Sequence, residues 1–249
     1  MTPDPRGRIG AFAVGAVLLI GLVALGVYAS ARPAPVLRTR QVESVAQAPA
    51  PGDNPSSRAA AGPAAPSGTT VSPTWVATTA AASGVPVPAV RAYGTATLRT
   101  AAQDPSCHLG WTTLAGIGWV ESQQGTIGGR RLQSNGRPDR DILGVELDGS
   151  GEVAAVPDDT GGFQRALGPM QFIPSTWERW AADGDGDGVE DPQDVDDAAL
   201  AAAHYLCSSG EDLATGSGWS AAVYSYNHSN PYVRAVYDAS RAYADRTSS

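Results

Sequence analysis

Trp111-Thr112-Thr113-Leu114-Ala115-Gly116-Ile117-Gly118-Trp119-Val120-Glu121-Ser122-Gln123-Gln124-Gly125 decides how the chain is read. Leu114, Ile117, Gly118 and Val120 recur at the spacing of a closely packed helix, which predicts a helix over Trp111–Gln124. A single carboxylate, Glu121, sits near its C-terminal end. Partial burial and the negative end of the helix dipole both disfavour an ionised carboxylate there, so its pKa is expected to rise. A raised carboxylate is what general acid catalysis near neutral pH requires. The plainer reading of the same residues is a solvated helix end before a glycine turn.

Helical patterning continues on both sides. Helices are predicted over 74–82, 86–102, 175–182, 197–208, 220–226 and 231–243, with Pro88 in a first turn and Asp196 or Asp197 capping the 197–208 helix. Strand-like alternation is confined to Ile142–Leu147 and Gly151–Val156, which suggests a small hairpin across Asp148-Gly149. The expected fold is therefore mainly α, with one small β-hairpin.

The N-terminal third is different. Ile9–Tyr28 is almost wholly apolar and preceded by Arg6 and Arg8, a stretch of about 20 residues that suffices to cross a bilayer with a positive cytoplasmic flank. Residues 1–31 are read as a signal anchor or transmembrane segment, although Ala29-Ser30-Ala31 also resembles a cleavage site that would release the protein. Residues 32–72, rich in Ala, Pro, Ser, Gly and Thr, are read as a disordered linker, and 73–249 as the folded domain. These readings place a single-pass protein in the cell membrane with its domain outside the cytoplasm. Outside the cytoplasm Cys107 and Cys207 are expected to form a disulfide, two buried free thiols being the alternative. The net charge of −8, with every basic residue an arginine, argues against nucleic acid as a partner.

Two further stretches suit a sugar ligand. In Gly168-Pro169-Met170-Gln171-Phe172-Ile173-Pro174-Ser175-Thr176-Trp177 the apolar side chains read as core, which leaves the amide of Gln171 in need of partners. Tyr224-Ser225-Tyr226-Asn227-His228-Ser229-Asn230-Pro231-Tyr232 clusters Tyr and Asn at a helix boundary, where an ordinary capping turn is the bland account.

Taken together, the Glu121 element, Gly168–Trp177 and Tyr224–Tyr232 resemble the lytic transglycosylases of the membrane-bound lytic murein transglycosylase B type, a lysozyme-like α+β fold, from Pro73 to about Tyr237. The resemblance implies Glu121 as the catalytic acid and base. It implies Gln171, Tyr205, Tyr226, Asn227 and Tyr232 as substrate-binding residues, and peptidoglycan glycan strands as the substrate, with cell-wall synthesis or division proteins as further partners. The implied reaction cleaves the MurNAc–GlcNAc β-1,4 bond and closes a 1,6-anhydro ring, with no cofactor for the chemistry. One departure is Gly162, where better-known relatives carry a serine.

Asp183-Gly184-Asp185-Gly186-Asp187-Gly188-Val189 has the spacing of an EF-hand loop, so a structural calcium is expected on Asp183, Asp185, Asp187 and the Val189 carbonyl. The twelfth position is Asp194 rather than glutamate. On the pattern of the resembled family, Asp197 closes a lengthened loop instead. Two other functions compete: a hydrolytic muramidase, in which water intercepts the intermediate, and a non-catalytic peptidoglycan-binding module.

Overall fold

The computed structural model describes residues 71–150 and 155–248. The transmembrane and linker expectations lie outside the described residues, except for Val71 and Ser72. Among the described residues, no helix is long and apolar enough to cross a membrane.

Among the described residues, seven α-helices carry the fold. Helix α1 spans Pro73–Ser83, with the Ser72 hydroxyl accepting from the Trp75 N–H and Gly84 ending it in the left-handed region. Next come α2 (Val87–Gln103), α3 (Trp111–Ser122), α4 (Pro174–Trp180), α5 (Val195–Cys207), α6 (Gly216–Tyr226) and α7 (Asn230–Thr247). Each was expected from the sequence pattern to within a few residues. The cap of α5 differs: it is Asp194, whose carboxylate accepts from the Asp196 N–H, not Asp196 or Asp197. Asp196 is instead drawn away by Arg91, at 2.5 Å, and Asp197 by the acidic loop that precedes the helix.

A small antiparallel sheet is present, with a partner strand that was not expected. Strand β1 (Leu143–Glu146) pairs antiparallel with β2 (Arg165–Leu167), a segment not expected as a strand. The reason lies in two successive Asx turns. Asp148 accepts from the Ser150 N–H, and Asp158 from the N–H groups of Thr160 and Gly162, so the chain doubles back twice before it pairs. Val156 does reach the sheet, donating to the Leu147 carbonyl at 2.8 Å. Residues 151–154 lie outside the described part.

The core forms where small residues let helices approach. Ala198, Ala199, Ala201, Ala202 and Ala203 make α5 a thin buried rod against α2. Around it Trp111, Trp219, Tyr93, Leu114, Ile117, Met170 and Leu206 are fully buried. Each such large apolar side chain contributes about 1.5–3 kcal/mol relative to exposure. Helix α3 packs most extensively on α7. Cys107 and Cys207 form the expected disulfide, with Cα atoms 5.5 Å apart, joining the segment after α2 to the end of α5.

Candidate active site

Glu121 lies in the last turn of α3, partly exposed. Its Oε1 accepts a 2.6 Å hydrogen bond from the Tyr232 hydroxyl on α7. Burial pushes the Glu121 carboxyl up to about 7, against the opposing pull of the Tyr232 hydrogen bond, which favours the anion. Among the described residues no carboxylate contributes to that shift, so the rise comes from poor solvation rather than from charge repulsion. Both protonation states are therefore populated near neutral pH.

Helix α3 ends in an abrupt turn. Gln123 and Gln124 both adopt left-handed backbone angles, φ 53° and 63°, and Gln124 N–H closes a 2.9 Å bond onto the Gly118 carbonyl. The buried Ser122 hydroxyl accepts from the Gly125 N–H at 2.8 Å and donates to the Pro169 carbonyl at 2.6 Å. That pair of bonds ties the end of the Glu121 helix to the turn carrying Gln171.

The Gln171 turn is itself constrained. Gly168 sits at φ 73°, and any Cβ there would strike the Pro192 carbonyl, so only glycine fits. Gln171 has φ 51°, its side chain donates to the Gly168 carbonyl at 2.9 Å, and its amide oxygen faces Gly144 of β1. The backbone bonds that Leu167 and Phe172 exchange then hold this turn to β2.

Tyr226, at the end of α6, bridges the two halves. Its ring stacks on Tyr232 at 6.5 Å with an interplanar angle of 3°, and its hydroxyl donates to the Met170 carbonyl at 2.9 Å. Phe172 and Tyr205 meet the same ring edge-on at 5.9 and 5.4 Å, and Tyr205 in turn donates to the Ser225 carbonyl at 2.6 Å. Burial raises the Tyr226 and Tyr232 phenols well above their ordinary value, so both remain hydrogen-bond donors. The structure thus gathers Glu121, Tyr232, Tyr226, Tyr205 and the Gln171 turn into one contiguous cluster. Asn227 follows Tyr226 as the exposed C-cap of α6, with no side-chain hydrogen bond among the described residues. Such a wall of aromatic faces with a free amide at its edge suits a ligand of apolar rings and hydroxyls.

The acidic loop follows α4, whose Trp180 meets Tyr205 edge-on at 5.9 Å. Asp183, Asp185 and Asp187 each present an oxygen, and these oxygens all lie within 4.8 Å of one another. Asp183 accepts from the Gly186 and Gly188 N–H groups, which curls the loop around its first carboxylate. Asp197 turns back onto the loop through the Gly184 and Asp191 N–H groups at 2.6 and 2.9 Å. Asp194, occupied as a helix cap, does not. Three hard oxygen donors in a curled loop fit a calcium-sized cation.

Two residues that matter here escaped the sequence reading. Tyr93 and Gln124 meet behind Glu121, their side chains 2.6 Å apart and buried. Gly118 permits the contact, because a Cβ there would collide with the Tyr93 hydroxyl and the Gln124 amide. A buried amide next to the Glu-Ser pair was a visible signal, but nothing in the local pattern named its partner.

Residues 151–223 match the family model described as Transglycosylase SLT domain. The match takes in Gln171, Tyr205 and the acidic loop and stops short of Tyr226; Glu121 lies before it. It supports a lytic transglycosylase family and peptidoglycan as the substrate class. No curated protein and no solved structure matches the chain.

Proposed function

We propose that this protein is a lytic transglycosylase that cleaves the β-1,4 bond between MurNAc and GlcNAc in peptidoglycan. The observation that carries the reading is the Glu121 carboxyl, raised to about 7 and held by Tyr232, with no second carboxylate among the described residues contributing to that rise. Hydrolytic glycosidases in general set two carboxylates across the scissile bond, about 5–9.5 Å apart. A single group that is half protonated near neutrality suits a reaction in which it gives a proton and then takes one back.

In the first half, protonated Glu121 donates to the glycosidic oxygen as its bond to the MurNAc anomeric carbon breaks. GlcNAc leaves with a hydroxyl, and the MurNAc N-acetyl group stabilises the developing oxocarbenium ion. In the second half, the Glu121 carboxylate takes the proton of the MurNAc primary hydroxyl while that oxygen bonds to the anomeric carbon, closing a 1,6-anhydro ring. The nucleophile is part of the substrate, so its effective concentration is high and no water is consumed. Tyr232 holds the carboxylate in place through both steps, and Gln171, Tyr205, Tyr226 and Asn227 are the side chains that meet the strand.

Calcium in the 183–189 loop, held by Asp183, Asp185, Asp187, the Val189 carbonyl and Asp197, has a structural role in this proposal. The loop joins α4, next to Gln171, to α5, which bears Tyr205. Ile9–Tyr28 anchors the chain in the membrane, and the linker lets the domain reach the wall.

Mass spectrometry of purified sacculi after digestion tests the reaction. Fragments ending in 1,6-anhydro-MurNAc are expected; fragments with reducing ends only would make the enzyme a hydrolase.

A further inference from the structure

Helix α3 ends in an unusual way for so short a reach to the carboxylate. Helices commonly stop at a single left-handed glycine, which has no Cβ to strain. Here two glutamines occupy left-handed geometry in succession and the glycine comes one residue later. Side chains other than glycine pay for that geometry, so something must offset it.

The offset lies beneath the helix. The turn directs the Gln124 side chain inward, where only 2% of the residue remains exposed. Its amide oxygen accepts from the Tyr93 hydroxyl of α2 at 2.6 Å. Its amide nitrogen donates to the Ala115 carbonyl of α3 at 2.8 Å and to the Tyr243 hydroxyl of α7 at 3.0 Å. The oxygen and both N–H groups are therefore engaged, with partners on three helices. Such a fully satisfied buried amide specifies one arrangement, because any rotation strands a donor or acceptor away from water.

The arrangement matters because of what else α7 carries. Tyr243 meets Gln124 and Tyr232 meets Glu121, so α7 grips the last turns of α3 at two points about three helical turns apart. Together with the Ser122 bond to the Pro169 carbonyl, these two contacts oppose rotation of α3 about its own axis.

We propose that Gln124 is a positioning residue for Glu121, pinning the end of the catalytic helix to the two helices behind it and so fixing the carboxylate against Tyr232. Gln124 touches no substrate; it acts through the angle at which α3 presents Glu121. The proposal rests on Glu121 being the acid and base, and its test separates the two ideas.

Two variants of the full chain carry that test. Gln124→Met keeps the volume and removes every hydrogen bond; Tyr93→Phe removes one donor from the same network and decides alone if the first variant does not fold. Both are expected to lower kcat on peptidoglycan about tenfold with KM within about twofold, the signature of an interaction used only in the transition state. The deprotonation of Glu121, followed by carboxyl carbon NMR, is expected to move upward by about one unit as the Tyr232 hydrogen bond loosens. Wild-type kcat and unshifted Glu121 titration in both variants, with only the melting temperature lowered, would overturn the proposal. A wild-type protein inactive on peptidoglycan, whose Glu121 titration still shifts in the variants, would instead remove the functional reading and leave the positioning role standing.

Discussion

The Tyr232 hydroxyl reaches across from α7 to donate a 2.6 Å hydrogen bond to Glu121, and it does so from a ring stacked on Tyr226. Two opposing influences therefore act on one carboxyl. Burial favours the neutral acid and wins, while the phenol favours the anion.

Tyr232→Phe removes the influence that favours the anion. The pKa of Glu121 then rises further, by about one to two units if the bond has the usual worth of a charge-assisted one, about 1.5–3 kcal/mol. The alkaline limb of the kcat/KM profile moves to higher pH and the maximum falls about tenfold. An unchanged pH profile would mean that the bond is not made in solution.

The raised pKa also has a consequence for stability. The unfolded carboxyl ionises near 4.5 and the folded one near 7, so between those values the folded state binds more protons and stability falls as pH rises. Glu121→Gln removes this liability. The variant is expected to match the wild type near pH 4 and to exceed it by about 1–3 kcal/mol at pH 8, or several degrees in melting temperature. Equal melting temperatures at both pH values would contradict the shift.

Ser122→Ala deletes the hydroxyl that joins the Glu121 helix to the Pro169 carbonyl. A buried acceptor and the Gly125 N–H lose their partner together, which costs about 1–3 kcal/mol. Turnover should drop along with the melting temperature, because the link between Glu121 and the Gln171 turn is cut. Full activity in a destabilised variant would show that the link serves folding alone.

Reduction of Cys107–Cys207 opens a loop closed over a sequence separation of 100 residues, for which chain-entropy arguments give about 4–5 kcal/mol. Denaturant unfolding with and without reductant measures it. Coincident curves would mean that native-state strain cancels the entropy.

Chelation tests the proposed cation. If the loop is loaded at about 100 times its dissociation constant, removing calcium lowers stability by about 2.7 kcal/mol. The same melting curve with chelator and with added calcium would leave the loop a solvated turn.

The helices were legible because their apolar spacing is local, and α3 was placed almost to the residue. Its end was not, because two left-handed glutamines carry none of the glycine signal that marks such a turn. The β1–β2 pairing was missed for a different reason. β1 and β2 are separated by two Asx turns, and pairing over that distance depends on the turns' side chains rather than on alternation within the strands. Within the site, Glu121, Gln171 and the tyrosines were visible as residue types in motifs. Tyr93 was not, since a tyrosine in the middle of an apolar helix reads as core until its hydroxyl is seen to meet an amide from elsewhere in the chain.

The most direct measurement compares wild-type protein and Glu121→Gln on purified peptidoglycan, with near-ultraviolet circular dichroism confirming that both are folded. The account predicts turnover lowered by about three orders of magnitude or more in the variant, as expected when an essential proton donor is lost. A folded Glu121→Gln protein that releases fragments at the wild-type rate would contradict it.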